Sequence, residues 1–303
     1  MEKIRKNLAA SIHQRLLNEA KKSGRPFNEL LQYYVIERFI FRLAQSSYKK
    51  NYLLKGALMF FAWNPKLPRP TKDVDLLGTI NNNLDVIVDS MKKICQQKVI
   101  QDGISFHSES ISATRITEDV EYEGARVRIP GNLGTIRLSI QIDIGFGDVI
   151  IPKAIKFDYP TILGSPSPSI RGYSKESIIS EKFHAMVKRG VLNSRMKDFY
   201  DIWWLSQQFH FKGQTLSSAL RKTFENRKTE IISNPVVFQE SFASDKGKQD
   251  QWRAFIQRTR LTNATENFTE VITELKTFIS PVISTLADKK TFQKNWKAPG
   301  PWR

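Results

Sequence analysis

Apolar residues recur at helical spacing through the first fifty positions of the chain. Residues 7–22 and 26–46 are predicted to form two helices, and the second has a broad apolar face made by Phe27, Leu30, Leu31, Tyr34, Ile36, Phe39 and Leu43. Gly24 is a suitable end for the first helix, and Pro26 suits the first turn of the second. The chain is therefore predicted to begin with a helical hairpin.

After residue 51 the apolar segments become shorter and take the spacing of strands. Residues 57–63 and 84–98 are predicted helices, and the predicted strands are 73–77, 104–115, 125–130 and 135–146. In the last strand, apolar Leu138, Ile140, Ile142 and Ile144 alternate with polar or small residues, as expected for a strand with one buried face. Gly131-Asn132-Leu133-Gly134 is predicted to be the hairpin turn before it.

The last part of the chain is predicted to be mainly helical. Residues 152–172 are rich in proline, glycine and serine and are predicted to form a crossing loop, after which Ser174 is a candidate N-cap. The predicted helices are 175–189, 195–208, 215–231, 249–258 and 264–286, and the tail from Lys289 is predicted to be loose. The pattern indicates an α+β protein in three parts: an N-terminal helical segment (1–50), a mixed β-sheet core (51–160) and a C-terminal helical domain (161–303).

Composition excludes several classes of protein. The chain has 303 residues, is 40% hydrophobic and contains one cysteine, Cys95, so a folded core is expected and an internal disulfide framework is not. No apolar run approaches the roughly 18–20 residues of a spanning helix, and no signal-type apolar core follows the first residues. These observations predict a cytoplasmic protein with no membrane association.

The formal net charge of +17 indicates a polyanionic partner, because lysine and arginine gain affinity for nucleic acids by releasing phosphate counterions. Residues 1–55 hold twelve Lys and Arg against four Asp and Glu, and residues 171–230 hold twelve against six. Within the second region, Lys188, Arg189, Arg195 and Lys197 fit an RNA path or a solvated helix face equally well. Solubility alone is the competing explanation for the charge.

Two carboxylates on the predicted strand 73–77 are the strongest chemical feature. Asp73 and Asp75 are two residues apart, so their side chains share one face of a strand, where they repel each other unless a cation lies between them. Hard carboxylate oxygens favour Mg²⁺ or Mn²⁺, and Mg²⁺ commonly also takes substrate phosphates. Asp143 lies on the polar face of another predicted strand, and three such aspartates indicate a metal-dependent phosphoryl-transfer site.

A small-residue turn precedes these carboxylates. Gly56 and Ala57 connect a short apolar segment to the predicted helix 57–63, and such a turn can present backbone N–H groups to a phosphate. An ordinary strand-to-helix turn is an equally good explanation when the turn is considered by itself.

Together, Lys55-Gly56-Ala57, Arg69-x-Thr71-x-Asp73-x-Asp75 and Ile142-Asp143-Ile144 resemble the nucleotidyltransferase superfamily. Two later segments, Glu181-Lys182-Phe183-His184-Ala185 and Arg195 to Ile202, resemble the AbiEii-type toxins of type IV toxin–antitoxin and abortive-infection systems. The resemblance covers about residues 10–205 and, more faintly, the region from Trp252 to Pro281. One departure is Ala57, where the wider superfamily usually has glycine or serine, so the hydroxyl contact to phosphate is lost.

The resemblance implies a nucleotidyltransferase core that moves an NMP from an NTP to an acceptor, with the 3′ end of tRNA as the expected acceptor. Asp73 and Asp75 would bind Mg²⁺ or Mn²⁺, Asp143 would activate the acceptor or serve as a further metal ligand, and Lys182 and Asp198 would be essential. The nucleotide phosphates would contact Lys55, Gly56, Ala57, Arg69, Thr71, Lys182 and Arg195. Asp201 is a secondary candidate because it lies one helical turn from Asp198. A cognate antitoxin is implied, without a stable complex.

Other functions remain open at this point. The acceptor could be a protein, or the chain could be a basic nucleic-acid-binding protein on an inactive nucleotidyltransferase fold. A metal-dependent glycosyltransferase would also use an Asp-x-Asp pair, but it would leave Lys182, Asp198 and the charge of +17 unexplained. A haloacid-dehalogenase-type phosphatase is disfavoured because Lys72 precedes Asp73, where that class has an apolar strand.

Overall fold

The structure, a computed structural model, describes residues 2–64, 69–116 and 124–303. Its internal contacts divide the chain into two compact units. Unit 1 comprises Met1–Gly147 and Ile155–Gly172, and unit 2 comprises Asp148–Ala154 and Tyr173–Arg303. The three-part division expected from the sequence stays a prediction.

Unit 1 is built on an eight-stranded mixed sheet, so the predicted α+β class is confirmed. Its helices are α1 (Glu2–Ser23), α2 (Phe27–Gln45), α3 (Leu58–Trp63) and α4 (Leu84–Cys95). Its strands are β1 (Tyr52–Lys55), β2 (Asp73–Gly78), β3 (Ile104–Phe106), β4 (Ser112–Ile116), β5 (Gly124–Leu133), β6 (Ile136–Phe146), β7 (Ile155–Asp158) and β8 (Ser169–Gly172). The strand order is β3-β5-β6-β2-β1-β8-β7, with β4 also paired to β5.

Unit 2 is mainly helical, as predicted. Its helices are α5 (Lys175–Arg189), α6 (Met196–Gln208), α7 (Gly213–Asn226), α8 (Glu240–Ala243), α9 (Lys246–Thr259) and α10 (Phe268–Ala287). The Ser174 hydroxyl accepts a hydrogen bond from the Ser177 N–H at 3.1 Å, so the predicted N-cap of α5 is confirmed. Two short strands, β9 (Phe211–Lys212) and β10 (Asn295–Trp296), form a separate antiparallel pair.

The predicted turn at residues 131–134 is wrong by two positions. Strand β5 continues to Leu133, which pairs with Ile136, and the turn consists of Gly134 and Thr135. Gly134 has φ +59°, the conformation that a two-residue hairpin requires and that glycine adopts without a steric penalty. The register of the β5–β6 pair therefore differs from the one that the sequence pattern indicates.

Two other predictions also fail. The predicted single strand 104–115 is two strands, because β3 pairs with one end of β5, β4 pairs with the other, and a 3₁₀ turn at Ser108–Ser110 separates them. The predicted crossing loop 152–172 contains β7 and β8, which pair antiparallel at the edge of the sheet. Only the residues between these two strands form the proline- and serine-rich connection.

The C-terminal tail is packed rather than loose. Trp296 and Trp302 are 2% and 8% exposed, and the Trp302 ring stacks on Phe278 of α10 with a centroid separation of 5.6 Å. The Trp296 indole N–H donates to the Ser206 carbonyl at 2.7 Å. Burial of the two tryptophan rings holds this segment in place. The proline and glycine content of the sequence hides this packing.

Cys95 gives a direct test of the core of unit 1. The thiol is buried at the end of α4, and burial raises its pKa to about 12. Thiolate is the reacting form, so at about pH 8 we expect modification of the folded protein to be about 10³-fold slower than that of the unfolded chain. Colorimetric thiol titration with and without denaturant measures this directly, since the chain has one cysteine. Equal rates would contradict the buried position.

Candidate active site

Four charged side chains form one row across adjacent strands of unit 1. Lys55 of β1 pairs with Asp75 of β2, Asp75 with Asp143 of β6, and Asp143 with Arg126 of β5. Directly paired residues project from the same face of a sheet, and adjacent strands are about 4.8 Å apart. The row therefore places two carboxylates side by side between two cations.

Strand alternation explains why this face is polar. On β2, Val74 and Leu76 are buried, whereas Asp73 and Asp75, which alternate with them, are partly exposed. The neighbouring strand β6 has the same pattern, with Ile142 and Ile144 buried. Because the apolar residues fix which face packs into the core, both carboxylates of β2 are held on the opposite face.

Asp143 is held by an arginine that the sequence pattern did not reveal. The Arg126 Nε–H donates to Asp143 Oδ1 at 2.9 Å, and its Nη2–H donates to Oδ2 at 2.8 Å. The Gln141 amide also lies 3.3 Å from Oδ1. A bidentate arginine–carboxylate pair fixes both position and orientation, so Arg126 is an additional candidate site residue.

Gly56 lets the Asp75 carboxylate approach the backbone. It follows β1 directly and has φ +68°, in the left-handed region. A β-carbon placed there would collide with the Asp75 side chain, lying 2.6 Å from its Cγ and 2.8 Å from its Cβ. Glycine is thus required at this position both by the backbone conformation and by the neighbouring carboxylate.

The other predicted phosphate-binding residues of unit 1 follow β1 or precede β2 in the chain. Ala57 is buried and precedes α3, which has only six residues. Arg69 is also buried, and the Thr71 N–H donates to the Tyr33 hydroxyl at 2.8 Å, which ties the segment before β2 to helix α2. Burial raises the pKa of Tyr33 to about 12, so this hydroxyl stays protonated at neutral pH.

In unit 2, Lys182 connects two helices through a pair of carboxylates. Its Nζ on α5 lies 2.6 Å from Asp198 Oδ1 and 2.9 Å from Asp201 Oδ2, both on α6. The Lys182 side chain is 14% exposed, and those of Asp198 and Asp201 are 6% and 1% exposed. Three of the four predicted site residues of this unit therefore form one largely buried charged cluster.

Neighbouring residues have structural contacts. Arg195 is the residue before α6, and its carbonyl accepts the Asp198 N–H at 2.9 Å. His184 is buried, its Nε2 lies 2.8 Å from the Thr229 hydroxyl, and its ring packs edge-on against Phe224, as expected for a packed histidine. Trp203 and Trp204 are buried and belong to the core of unit 2.

A second buried charged group in unit 2 escaped the sequence analysis. The Asp148 carboxylate lies 2.9 Å from Arg227 and accepts a hydrogen bond from the Tyr173 hydroxyl at 3.1 Å. Burial raises the pKa of Tyr173 well above its ordinary value, and the nearby Glu181 and Asp148 carboxylates raise it further. The participants come from distant parts of the chain, so no local pattern could have revealed the group.

A family model of nucleotidyl transferase AbiEii toxins of type IV toxin–antitoxin systems matches residues 38–274. This match covers most of the chain and includes every candidate site residue named in the sequence analysis. The chain belongs to the AbiEii toxin family. It is accordingly a nucleotidyltransferase, and the resemblance inferred from the motifs is confirmed.

Comparison with solved structures gives more distant likenesses. The crystal structure of JHP933 from Helicobacter pylori is 16% identical, with a TM-score of 0.48, covering 86% of this chain and 93% of that one. A second H. pylori crystal structure has the same identity and a TM-score of 0.43, covering 86% and 96%. No curated protein matches the chain.

Nucleotidyltransferases generally use a divalent metal and an NTP substrate, and the carboxylates of unit 1 are the candidate metal ligands. Asp73 and Asp75 offer hard oxygen donors from one strand face, which suits Mg²⁺. Within residues 2–64, 69–116 and 124–303, no three acidic, histidine or cysteine side chains converge as a ligand set. Asp143 faces Arg126, and its role as a metal ligand stays a prediction.

Unit 1 also contains a cavity of about 980 Å³ between α1 and the β5–β6 turn. The residues that line this cavity do not include Asp73, Asp75 or Asp143. In the part of the chain that the structure describes, no helix combines the length and apolarity needed to cross a membrane.

Proposed function

We propose that this AbiEii-family protein transfers an NMP from an NTP to the 3′ end of tRNA and thereby blocks translation. The observation that carries the proposal is the row of Lys55, Asp75, Asp143 and Arg126 across four strands, next to Asp73. Two neighbouring carboxylates framed by cations suit a site for a metal-bound triphosphate. The basic charge of the chain favours RNA over protein as the acceptor.

In the proposed reaction the 3′ hydroxyl oxygen of the acceptor attacks the α-phosphorus of the NTP. A new P–O bond forms, the bond between the α-phosphorus and the bridging oxygen breaks, and pyrophosphate leaves with the bond electrons. The protein contributes mainly position and charge, because phosphoryl transfer needs little covalent help. The hydroxyl proton passes to a carboxylate or to water.

Asp73 and Asp75 are the residues proposed to hold Mg²⁺ or Mn²⁺. The bound ion would supply charge neutralisation for the triphosphate. Gly56 keeps the Asp75 carboxylate in place, since a larger residue would collide with it. Lys55 and Arg69 are proposed to contact the nucleotide phosphates through their charge. Ala57 is proposed to contribute its backbone N–H, and Thr71 its hydroxyl, because the Thr71 N–H donates to Tyr33.

Asp143 is proposed to take the proton of the acceptor hydroxyl. Arg126 donates one hydrogen bond to each of its oxygens, and a carboxylate has about four acceptor sites, so the pair does not have to open before Asp143 accepts a proton. Arg126 is proposed to orient the carboxylate. This role makes Arg126 a positioning residue rather than a group that touches the reacting atoms.

Lys182 is proposed to contact the nucleotide phosphates, with Arg195 as a second cation. Asp198 and Asp201 hold the Lys182 ammonium at 2.6 and 2.9 Å, so they are proposed to orient it. The cognate antitoxin is proposed to act without forming a stable complex with the toxin.

Label transfer tests the proposed function. The protein is incubated with Mg²⁺, bulk tRNA and each α-labelled NTP in turn, and the products are separated by size. We expect label on tRNA with at least one NTP, no label when the metal is chelated, and a loss of at least about 10²-fold in Asp73→Ala, because phosphoryl transfer depends on positioned charge. Asp89→Ala is the matched control, since Asp89 is an exposed carboxylate paired to Lys93 on α4.

Each alternative has its own result in this assay. Label on a protein instead of on tRNA would show that the acceptor is a protein. Binding of tRNA without transfer of label from any NTP would indicate an inactive fold, and the proposal would be wrong. Release of a nucleotide from UDP-sugars would favour the glycosyltransferase.

A further inference from the structure

The short turn between α5 and α6 presents two aliphatic side chains to solvent. It is a 3₁₀ turn at Gly190–Leu192, and Val191 and Leu192 are 61% and 85% exposed. Together these side chains form a small exposed apolar patch, and an apolar patch rimmed by polar residues is a candidate contact site. We call these two residues the apolar tip.

The backbone that carries the apolar tip is fixed by hydrogen bonds to Asn193. The Asn193 N–H donates to the Gly190 carbonyl at 3.1 Å, and its Oδ1 accepts the Arg195 N–H at 2.9 Å. The Asn193 carbonyl accepts a hydrogen bond from Lys248 Nζ of α9 at 2.8 Å. Asn193 is itself 1% exposed, so the tip stands on a buried and anchored residue rather than on a loose loop.

Cations flank the apolar tip on both sides of the turn. Lys188 and Arg189 form the last turn of α5, and Arg195 and Lys197 stand at the start of α6. No acidic residue occurs from Phe183 to Lys197, and both Lys188 and Lys197 are exposed. This charge is complementary to a polyanion such as RNA and unfavourable for a basic protein surface.

We propose that Val191 and Leu192 form a wedge that packs against the base stack of the acceptor RNA, while the flanking cations contact its phosphates. The inference rests on the proposed function, which supplies RNA as the acceptor. Nucleic-acid-binding proteins use aliphatic wedges of this kind to unstack bases, and fixed cations beside the wedge supply most of the affinity. A rigid turn suits this role because little conformational freedom is lost on binding.

Binding of fluorescein-labelled bulk tRNA, measured by anisotropy without NTP or metal, tests the wedge. We expect the double variant Val191→Ser/Leu192→Ser to bind about tenfold more weakly, with an unchanged slope of log affinity against log salt. Lys197→Gln should lower that slope by about one, because it removes a phosphate contact. Ile232→Ser is the matched control: Ile232 is 45% exposed, also lies in unit 2, and its loss should leave binding unchanged.

A second readout separates a wedge from a purely electrostatic contact. With 2-aminopurine in the terminal base pair of an RNA hairpin, unstacking by the native protein should raise the fluorescence, and the double serine variant should bind without this rise. Serine at exposed positions preserves folding, which thermal unfolding verifies. If the double variant binds tRNA as tightly as the native protein and raises the fluorescence equally, the inference is wrong.

These outcomes are independent of the label-transfer assay. If label is transferred but the serine substitutions do not affect tRNA binding, the proposed function holds and the wedge is wrong. If the substitutions weaken tRNA binding but no label is transferred, the wedge holds and the proposed function is wrong.

Discussion

Gly56→Ala is expected to abolish most of the nucleotidyltransferase activity while leaving the protein folded. The added β-carbon would lie 2.6 Å from Asp75 Cγ and 2.8 Å from Asp75 Cβ. Rotation of the carboxylate cannot remove the contact with its own Cβ, so strand β2 or the turn itself must shift. A displacement near 1 Å at a reacting site commonly lowers the rate by about 10²-fold, and we expect at least that loss in label transfer.

Gly24→Ala provides a closely matched control in the same unit. Gly24 also has φ +68°, but a β-carbon there would meet nothing within 4 Å. Both substitutions carry the same left-handed strain of about 1–2 kcal/mol, and only the one at Gly56 displaces a carboxylate. Full transfer activity in Gly56→Ala would show that Asp75 does not need its present position. Equal activity losses in both variants would point to strain instead.

Lys182→Ala is expected to destabilise unit 2 and also to remove activity. Asp198 and Asp201 would lose the cation they share at 2.6 and 2.9 Å, and breaking a buried ion pair from one side typically costs about 3–5 kcal/mol. Tryptophan fluorescence during denaturant unfolding measures the loss, because all of the six tryptophans except Trp63 lie in unit 2.

Two further variants separate the structural role of Lys182 from its catalytic role. The triple variant Lys182→Met/Asp198→Asn/Asp201→Asn removes all three charges together and should recover much of the lost stability while staying inactive. Lys222→Ala is a control for general loss of a lysine, because Lys222 pairs with Glu225 on the surface of α7 and should cost less than about 1 kcal/mol. Recovery of activity along with stability in the triple variant would mean that Lys182 is only structural.

Hydrophobic periodicity was sufficient to predict the long helices and the strand that carries Asp73 and Asp75. The α2 and α5 helices and the alternation on β2 follow from local pattern, so Asp73 and Asp75 could be assigned to one strand face from sequence. Arg126 could not, because its position depends on register. A turn at residues 131–134 would have placed Arg126 opposite Ser139, whereas the actual turn at Gly134 and Thr135 places it opposite Asp143.

The other misassignments concern segments whose structure depends on distant partners. Strand β8 pairs with Leu54 of β1, more than one hundred residues earlier, and β10 pairs with β9 across several helices. Proline and glycine near these segments suggested loops, and only the tertiary pairing overrides that local preference. The grouping of Asp148, Tyr173 and Arg227 is equally non-local.

The pairing of β1 with β8 also has a consequence for synthesis of the toxin on the ribosome. Strand β1 pairs in parallel with β8 through Leu54 and Gly172, and about 120 residues separate these two positions. At about 5–20 residues per second, the nascent chain exposes an unpaired strand edge for roughly 6–24 s. An open edge of this kind invites pairing with other chains, so translation speed through this interval should influence how much active toxin a cell accumulates.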